Sequence, residues 1–512
     1  MKNSKPVFSG LYNIFNAGKD FLLRIPNSVL YLLLFVSLLI IEYYNFHLCP
    51  DISIQLHTLK NFVNGHGITL TSIDENNVTV YQPCSLWPAG LVVFLSPIYL
   101  ITKSAITTAL AGKLMANLFF ILFLSKYMVY LKLENQRKKV IIFFFIISVS
   151  PFIHFYPADT IATVLCLWGF YFNLKYQDDK KNINLAICVL LLSCSYFVKY
   201  SFLPFLMYPV AAFIVKERTK VFKQLRQLFT IISYTLAAAI LIYAINYLLL
   251  GKSQMVSSFD ALHGNAHWNQ LVRTDGFLFN FGVVYEWAYE NFIRNHFGIH
   301  IPFNWIAVFV TTIFYLMFLG AFLNKKFPDA NAAFLNSINI SLSAGALVFG
   351  FLLFLTINNP GQTWMKPYWT FVEETRYYGP VIVIGLVNVL IILLAKRKGW
   401  LSNVIIAGLF FINLFAYDFA IRSGFWGINA QTYFKIRKNI ASSFNINDRS
   451  KISLVYFEPL SKASDEYYYL QSQGVILLED SKYQSSNLNS DQFAPYFLKR
   501  DSTNAVKISS TR

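Results

Sequence analysis

The chain has 512 residues, of which 55% are hydrophobic, 18% aromatic and only 13% charged, with a formal net charge of +17. Such an apolar balance excludes an ordinary soluble domain and a disordered chain. The positive charge does not point to nucleic acid, because the basic residues sit in short clusters between apolar runs, as cytoplasmic loops of membrane proteins do.

Apolar runs of about 18 residues or more can cross the roughly 30 Å hydrocarbon core of a bilayer. Lys2, Lys5, Lys19 and Arg24 precede the first of them, 29–46, and no small-residue cleavage site follows it, so it reads as a retained anchor. The segment 91–101 is too short to span and is interrupted by Pro97, so an interfacial helix is expected there. Further spans are expected at 106–130, 140–155, 160–174, 183–198, 202–215, 228–249, 305–323, 340–357, 381–395 and 401–417, about eleven in all. The expected fold is therefore an all-α polytopic membrane protein over residues 1–425.

Charge sets the orientation. The connections 132–139, 175–182, 216–227, 324–339 and 396–400 carry the Lys/Arg clusters and belong in the cytoplasm, with the N-terminus. The segments 47–105, 156–159, 199–201, 250–304 and 358–380 then face outward, across a cell inner (plasma) membrane. An odd number of spans leaves the C-terminus periplasmic.

From residue 426 the composition turns polar. Helices at 433–442 and 464–473 and strands at 452–457 and 475–479 predict a small extramembrane α/β domain, residues 426–512, and the polar stretch 485–512 reads as loosely ordered. Of the five cysteines, Cys166, Cys188 and Cys194 fall in apolar spans; Cys49 and Cys84 share the first outer loop, where a disulfide is open.

Candidates for chemistry cluster on the outer side. Asp51 lies about five residues beyond the first span, where a carboxylate is partly desolvated yet reachable by an acceptor; the structural alternative is a helix N-cap. Asp159 opens a later span in Pro157-Ala158-Asp159-Thr160, with the same alternative. Lys199-Tyr200 lies between two outer span ends, where a cation would hold a phosphate or snorkel to headgroups. Arg376 and Tyr377, in Glu373-Glu374-Thr375-Arg376-Tyr377-Tyr378, precede a late span; Arg376 suits a bidentate phosphate clamp or an ion pair with its neighbouring glutamates. His263 and His267 stand at helical i, i+4 spacing, but without further ligands they are a weak metal signal.

The order of these features resembles the GT-C class of polytopic glycosyltransferases, in particular bacterial relatives of protein O-mannosyltransferases and of the aminoarabinose transferase of lipid A. The resemblance covers about residues 28–400. It rests on Asp51 after the first span, Gly65-His66-Gly67, the Pro83 to Ile101 re-entry, Asp159 at a span start, Lys199-Tyr200 and Arg376-Tyr377. It implies transfer of a sugar from a polyprenyl-phosphate donor to a glycan, lipid or protein acceptor. Asp51 would then be the base and Asp159 the second acid, with Lys199, Arg376 and Tyr377 at the donor phosphate. This sequence departs from the class pattern where Pro83 and Pro88 are separated by Cys84-Ser85-Leu86-Trp87, and no second acid stands beside Asp51, which leaves a divalent cation open as cofactor. The competing classes are a lipid or polysaccharide transporter and a non-catalytic cell-envelope subunit; mid-membrane charges and an internal repeat would favour the transporter.

Overall fold

The structure, a computed structural model, describes residues 23–46, 48–74, 78–84, 87–148, 156–217, 221–250, 298, 313, 316–320, 332–358, 378–395, 400–422, 430–443, 452–457, 465–479, 493–500 and 506–509. The body is an all-α polytopic membrane fold. Among the described residues, Asn27–Tyr44, Ala105–Tyr130, Val221–Leu250 and Ala332–Phe351 are long and apolar enough to cross a bilayer.

Helix α1 (Asn27–Tyr44) follows Pro26 and ends at Asn45, whose backbone N–H donates to the Ile41 carbonyl at 2.9 Å. Helix α2 (Pro50–Val63) begins at once, with Pro50 supplying a pre-set φ at a position that needs no donor. The strands β1 (Thr69–Ile73) and β2 (Thr79–Pro83) pair antiparallel, so the first outer loop holds a hairpin that the sequence reading lacked. Helix α3 (Gly90–Thr102) has 13 residues, about 20 Å, and contains Pro97; it is the short apolar helix expected at 91–101. It ends at Lys103 in a left-handed conformation (φ 51°), and Ser104 caps α4 (Ala105–Tyr130) by accepting the Thr107 N–H.

Helix α5 (Asn135–Ile147) absorbs Arg137, Lys138 and Lys139, so of the basic loop expected at 132–139 only 132–134 stays outside the helix. Helices α6 (Pro157–Asp179) and α7 (Asn182–Val198) form an antiparallel hairpin turned by left-handed Lys180. The Asp179 carboxylate stitches the turn, accepting the Lys181 N–H at 2.9 Å and the Asn184 side-chain amide at 2.7 Å. The expected inner loop 175–182 thus shrinks to two residues, since α6 continues to Asp179. A 3₁₀ stretch, Tyr200–Met207, then leads into α8 (Tyr208–Lys216).

Helix α9 (Leu225–Leu250) is peripheral, exposing Leu236, Ile240, Leu241 and Leu248 as a lipid-facing stripe. Helices α10 (Ala332–Asn358), α11 (Gly379–Ala395) and α12 (Trp400–Arg422) complete the body, with α11 buried along nearly its whole length. Residues 332–339, expected in an inner loop, are the start of α10, because Ala332 to Ile340 continues the apolar face of that helix. Most of the expected span 305–323, the loop 250–304 apart from Leu250 and Gly298 but including His263 and His267, and the pair Arg376-Tyr377 lie outside the described residues.

The polar C-terminal segment contributes α13 (Ala430–Ser443), β3 (Ile452–Phe457), α14 (Asp465–Ser472), β4 (Ile476–Glu479), β5 (Phe493–Arg500) and β6 (Val506–Ser509). The sheet order is β4-β3-β5-β6; β3 runs parallel to β4 and β5, and β6 is antiparallel to β5. For 493–500 and 506–509 this corrects the loosely ordered reading of 485–512. Strand β5 begins Phe493-Ala494-Pro495-Tyr496-Phe497-Leu498 and gains its stability from pairing with β3, a long-range contact that local polarity hides.

Candidate active site

The helix hairpin explains how the site assembles. Because α6 and α7 are antiparallel and joined by a tight turn, the start of α6 and the end of α7 meet at one end of the body. Asp159 sits in the first turn of α6, after Tyr156 as N-cap and Pro157 at the first helical position. Lys199 follows α7 in extended backbone (φ −150°, ψ 123°). The Lys199 ammonium donates to Asp159 Oδ1 as an ion pair. Asp159 is fully buried, whereas the lysine side chain keeps 15% of its surface exposed. The second carboxylate oxygen, Oδ2, has no hydrogen-bond partner among the described residues.

Asp51 occupies the equivalent place on α2, in the first turn behind Pro50 and half-buried. Neither acid is the N-cap residue; those positions belong to Cys49 and Tyr156. Both carboxylates nevertheless lie in the first turn of a helix, at the positive end of its dipole.

Tyr156 joins the two helix starts. Its side chain is hydrogen-bonded to the Cys49 thiol, and the Lys199 ammonium stands 5.9 Å from the centre of its ring. Burial first, and the Asp51 carboxylate second, push the Cys49 thiol up to about 11, so it is a neutral packing group and not a nucleophile. Cys49 and Cys84 are separate, buried free thiols. Cys84 instead lies within electrostatic reach of Tyr200, next to Lys199.

The third wall is α3. A Cβ on Gly90 would fall 2.2 Å from the Phe197 carbonyl oxygen and 2.7 Å from the Val198 nitrogen, so only glycine lets the start of α3 lie against the end of α7. Ala89 N–H donates to Asn246 Oδ1 of α9 at 3.2 Å, tying the same corner to α9. Asp51, Tyr156, Asp159 and Lys199 are therefore gathered at one end of the membrane body. Arg376 and Tyr377 lie outside the described residues.

Three features at this end were not read from the sequence. Glu42, near the end of α1, and Lys113, in the third turn of α4, form an ion pair with both side chains 1% exposed, and Asn117 donates to Glu42 Oε1 at 3.1 Å. Opposite charges inside two apolar spans were the available signal. His57, buried on α2, accepts the Thr71 N–H at Nε2 (3.2 Å), and Asn61 donates to the Thr69 carbonyl at 2.8 Å, which locks α2 to β1. Burial, with the Lys60 charge behind it, pushes His57 down to about 4. Lastly, α14 of the C-terminal segment packs on α2. Among the described residues no three His, Cys, Asp or Glu side chains converge as a metal site.

No protein-family model matches the chain, and no curated protein matches it significantly. Among solved structures it is similar to the crystal structure of ArnT from Cupriavidus metallidurans bound to undecaprenyl phosphate, with a TM-score of 0.44, 11% sequence identity and 92% of each chain covered.

Proposed function

We propose that this chain is an inner-membrane glycosyltransferase that moves a sugar from a polyprenyl-phosphate donor to an acceptor on the outer face, with Asp51 as base. The observation that carries this reading is the joining, through Tyr156 and Cys49, of a half-buried carboxylate to a reachable lysine paired with a buried acid. A phosphate ester leaving group needs a cation where its negative charge grows, and the acceptor needs a nearby base.

The steps balance as a single displacement. Asp51 accepts the acceptor's proton as its heteroatom bonds to the anomeric carbon. The bond from that carbon to the phosphate oxygen breaks, its electron pair leaves with the polyprenyl phosphate, and the configuration inverts. Lys199 neutralises the departing phosphate. Asp159 is better cast as the residue that aims Lys199 than as a second base, because its Oδ1 already takes the ammonium. Arg376 and Tyr377 belong to the same proposal as further phosphate ligands.

The test is sugar transfer by purified full-length protein from radiolabelled polyprenyl-phosphate mannose and glucose, comparing wild type with Asp51→Asn. Donor-dependent turnover that falls on the order of 100-fold or more in the variant, with an unchanged melting midpoint, supports the reading. Turnover that survives the substitution removes Asp51 as the base.

A further inference from the structure

The C-terminal segment touches the chain on both sides of Asp51. Upstream, the Tyr433 hydroxyl accepts the backbone N–H of Leu48 at 2.9 Å, and the Tyr433 ring meets Phe46 edge-on with centroids 5.7 Å apart. Leu48 is fully buried and precedes the helix, so its N–H has no helical acceptor and would be left unsatisfied without Tyr433. Downstream, the Ser53 hydroxyl donates to Gln471 Oε1 at 2.5 Å, and Ser53 is likewise fully buried.

About two turns further on, the Lys60 ammonium donates to the Gln473 carbonyl at 2.5 Å. Gly474 follows with φ +72°; a Cβ there would stand 3.1 Å from Lys60 Cδ and 3.3 Å from His57 Cδ2. That left-handed, close-packed turn is what brings Gln471 and Gln473 onto the helix. Beneath these polar contacts Tyr469 and Leu470 share one continuous apolar cluster with Ile52, Leu56 and Leu59.

An acid in the first turn of a short helix, ahead of which the chain has just left the membrane, has little of its own to hold its direction. Here the backbone is pinned three residues before it and the side chain of Ser53 two residues after it, both by the same distant segment. We infer that Tyr433 and Gln471 are positioning residues for Asp51, so that the C-terminal segment is part of the catalytic apparatus and not a separate appendage. This rests on the reading of Asp51 as the base.

The experiment uses the full chain, the same radiolabelled polyprenyl-phosphate mannose and glucose, and five variants: Asp51→Asn, Tyr433→Phe, Ser53→Ala, Gln471→Ala and the Ser53→Ala/Gln471→Ala double. Misplacing a base without moving the phosphate site lowers kcat and spares the donor KM. The expected result is a roughly tenfold fall in kcat for Tyr433→Phe and for Gln471→Ala at unchanged KM, with the double variant no worse than either of its singles. A merely structural role would lower the melting midpoint and the active fraction together and leave kcat per folded molecule unchanged. Asp51→Asn inactive with Gln471→Ala and Tyr433→Phe at wild-type kcat overturns the positioning role alone. Asp51→Asn at wild-type kcat overturns the base reading and the positioning role with it.

Discussion

Two acid–lysine pairs stand at the same end of this molecule, and they differ in what can reach them. Glu42 and Lys113 are sealed between α1 and α4, each 1% exposed, with Asn117 bonded to the carboxylate. Asp159 and Lys199 bridge the ends of α6 and α7, with the acid sealed but the lysine 15% exposed and Tyr156 and Cys49 connecting it to Asp51. A sealed pair inside low dielectric cannot exchange its partner for a ligand, so its role is to fix how two helices meet. A half-open pair keeps its cation aimed and still offers it to an anion. The same contrast bears on the transporter alternative. Charged residues at membrane depth are what transport calls for, but this pair gives a substrate no path to it.

Substitutions tell the two pairs apart. Lys113→Met should have the largest effect, leaving Glu42 buried without its counter-charge and costing about 3–5 kcal/mol, read as a lower melting midpoint or loss of folded protein in detergent. Lys199→Met should lower that midpoint too, though by less because the ammonium is partly solvated, since it strands the buried Asp159 carboxylate; transfer from a polyprenyl-phosphate sugar by the folded fraction should fall roughly 100-fold.

A smaller effect is expected at His57, whose native pKa of about 4 lies below its ordinary value of 6.5. The unfolded chain then binds the proton first, so stability is full above pH 6.5 and is lost as pH falls from there towards 4. One pH unit within that window is worth about 1.4 kcal/mol, and His57→Gln should flatten the fall of the melting midpoint between pH 6.5 and 5.5. Smallest of all, Glu42→Met/Lys113→Met should bring stability back to within about 1 kcal/mol of wild type, since an apolar pair of similar volume replaces buried charges.

Much of the body was legible in the sequence because hydropathy acts locally. The first span, the short proline-interrupted helix at Gly90–Thr102 and the span Ala105–Tyr130 appear within two residues of where apolar runs place them. The boundaries that moved at Asn135 and Asp179 are ones where polar residues continue a helix beyond its apolar run, and the one at Ala332 moved because a mixed stretch there still carries a buried apolar face. In the C-terminal segment the first two strands and both helices were readable from alternation and periodicity. Phe493–Arg500 and Val506–Ser509 were not, because long-range pairing makes them strands.

The candidate site divides in the same way. Asp51 and Asp159 were visible as acids just behind a proline at a helix start. What the sequence left open is which charge meets which: Lys199 meets Asp159, and Glu42 meets Lys113, across separations no local pattern records. The anchoring of α2 by Tyr433 and Gln471 was hidden for the same reason, since it joins residues about 400 positions apart.

If the two pairs differ in this way, the half-open pair holds the donor phosphate and the sealed pair does not. Binding of radiolabelled polyprenyl phosphate tests it most directly, comparing wild type, Lys199→Met and Glu42→Met/Lys113→Met in one detergent. Affinity is expected to be at least tenfold weaker in Lys199→Met and at the wild-type level in the double variant. Equal affinity in wild type and Lys199→Met would contradict it.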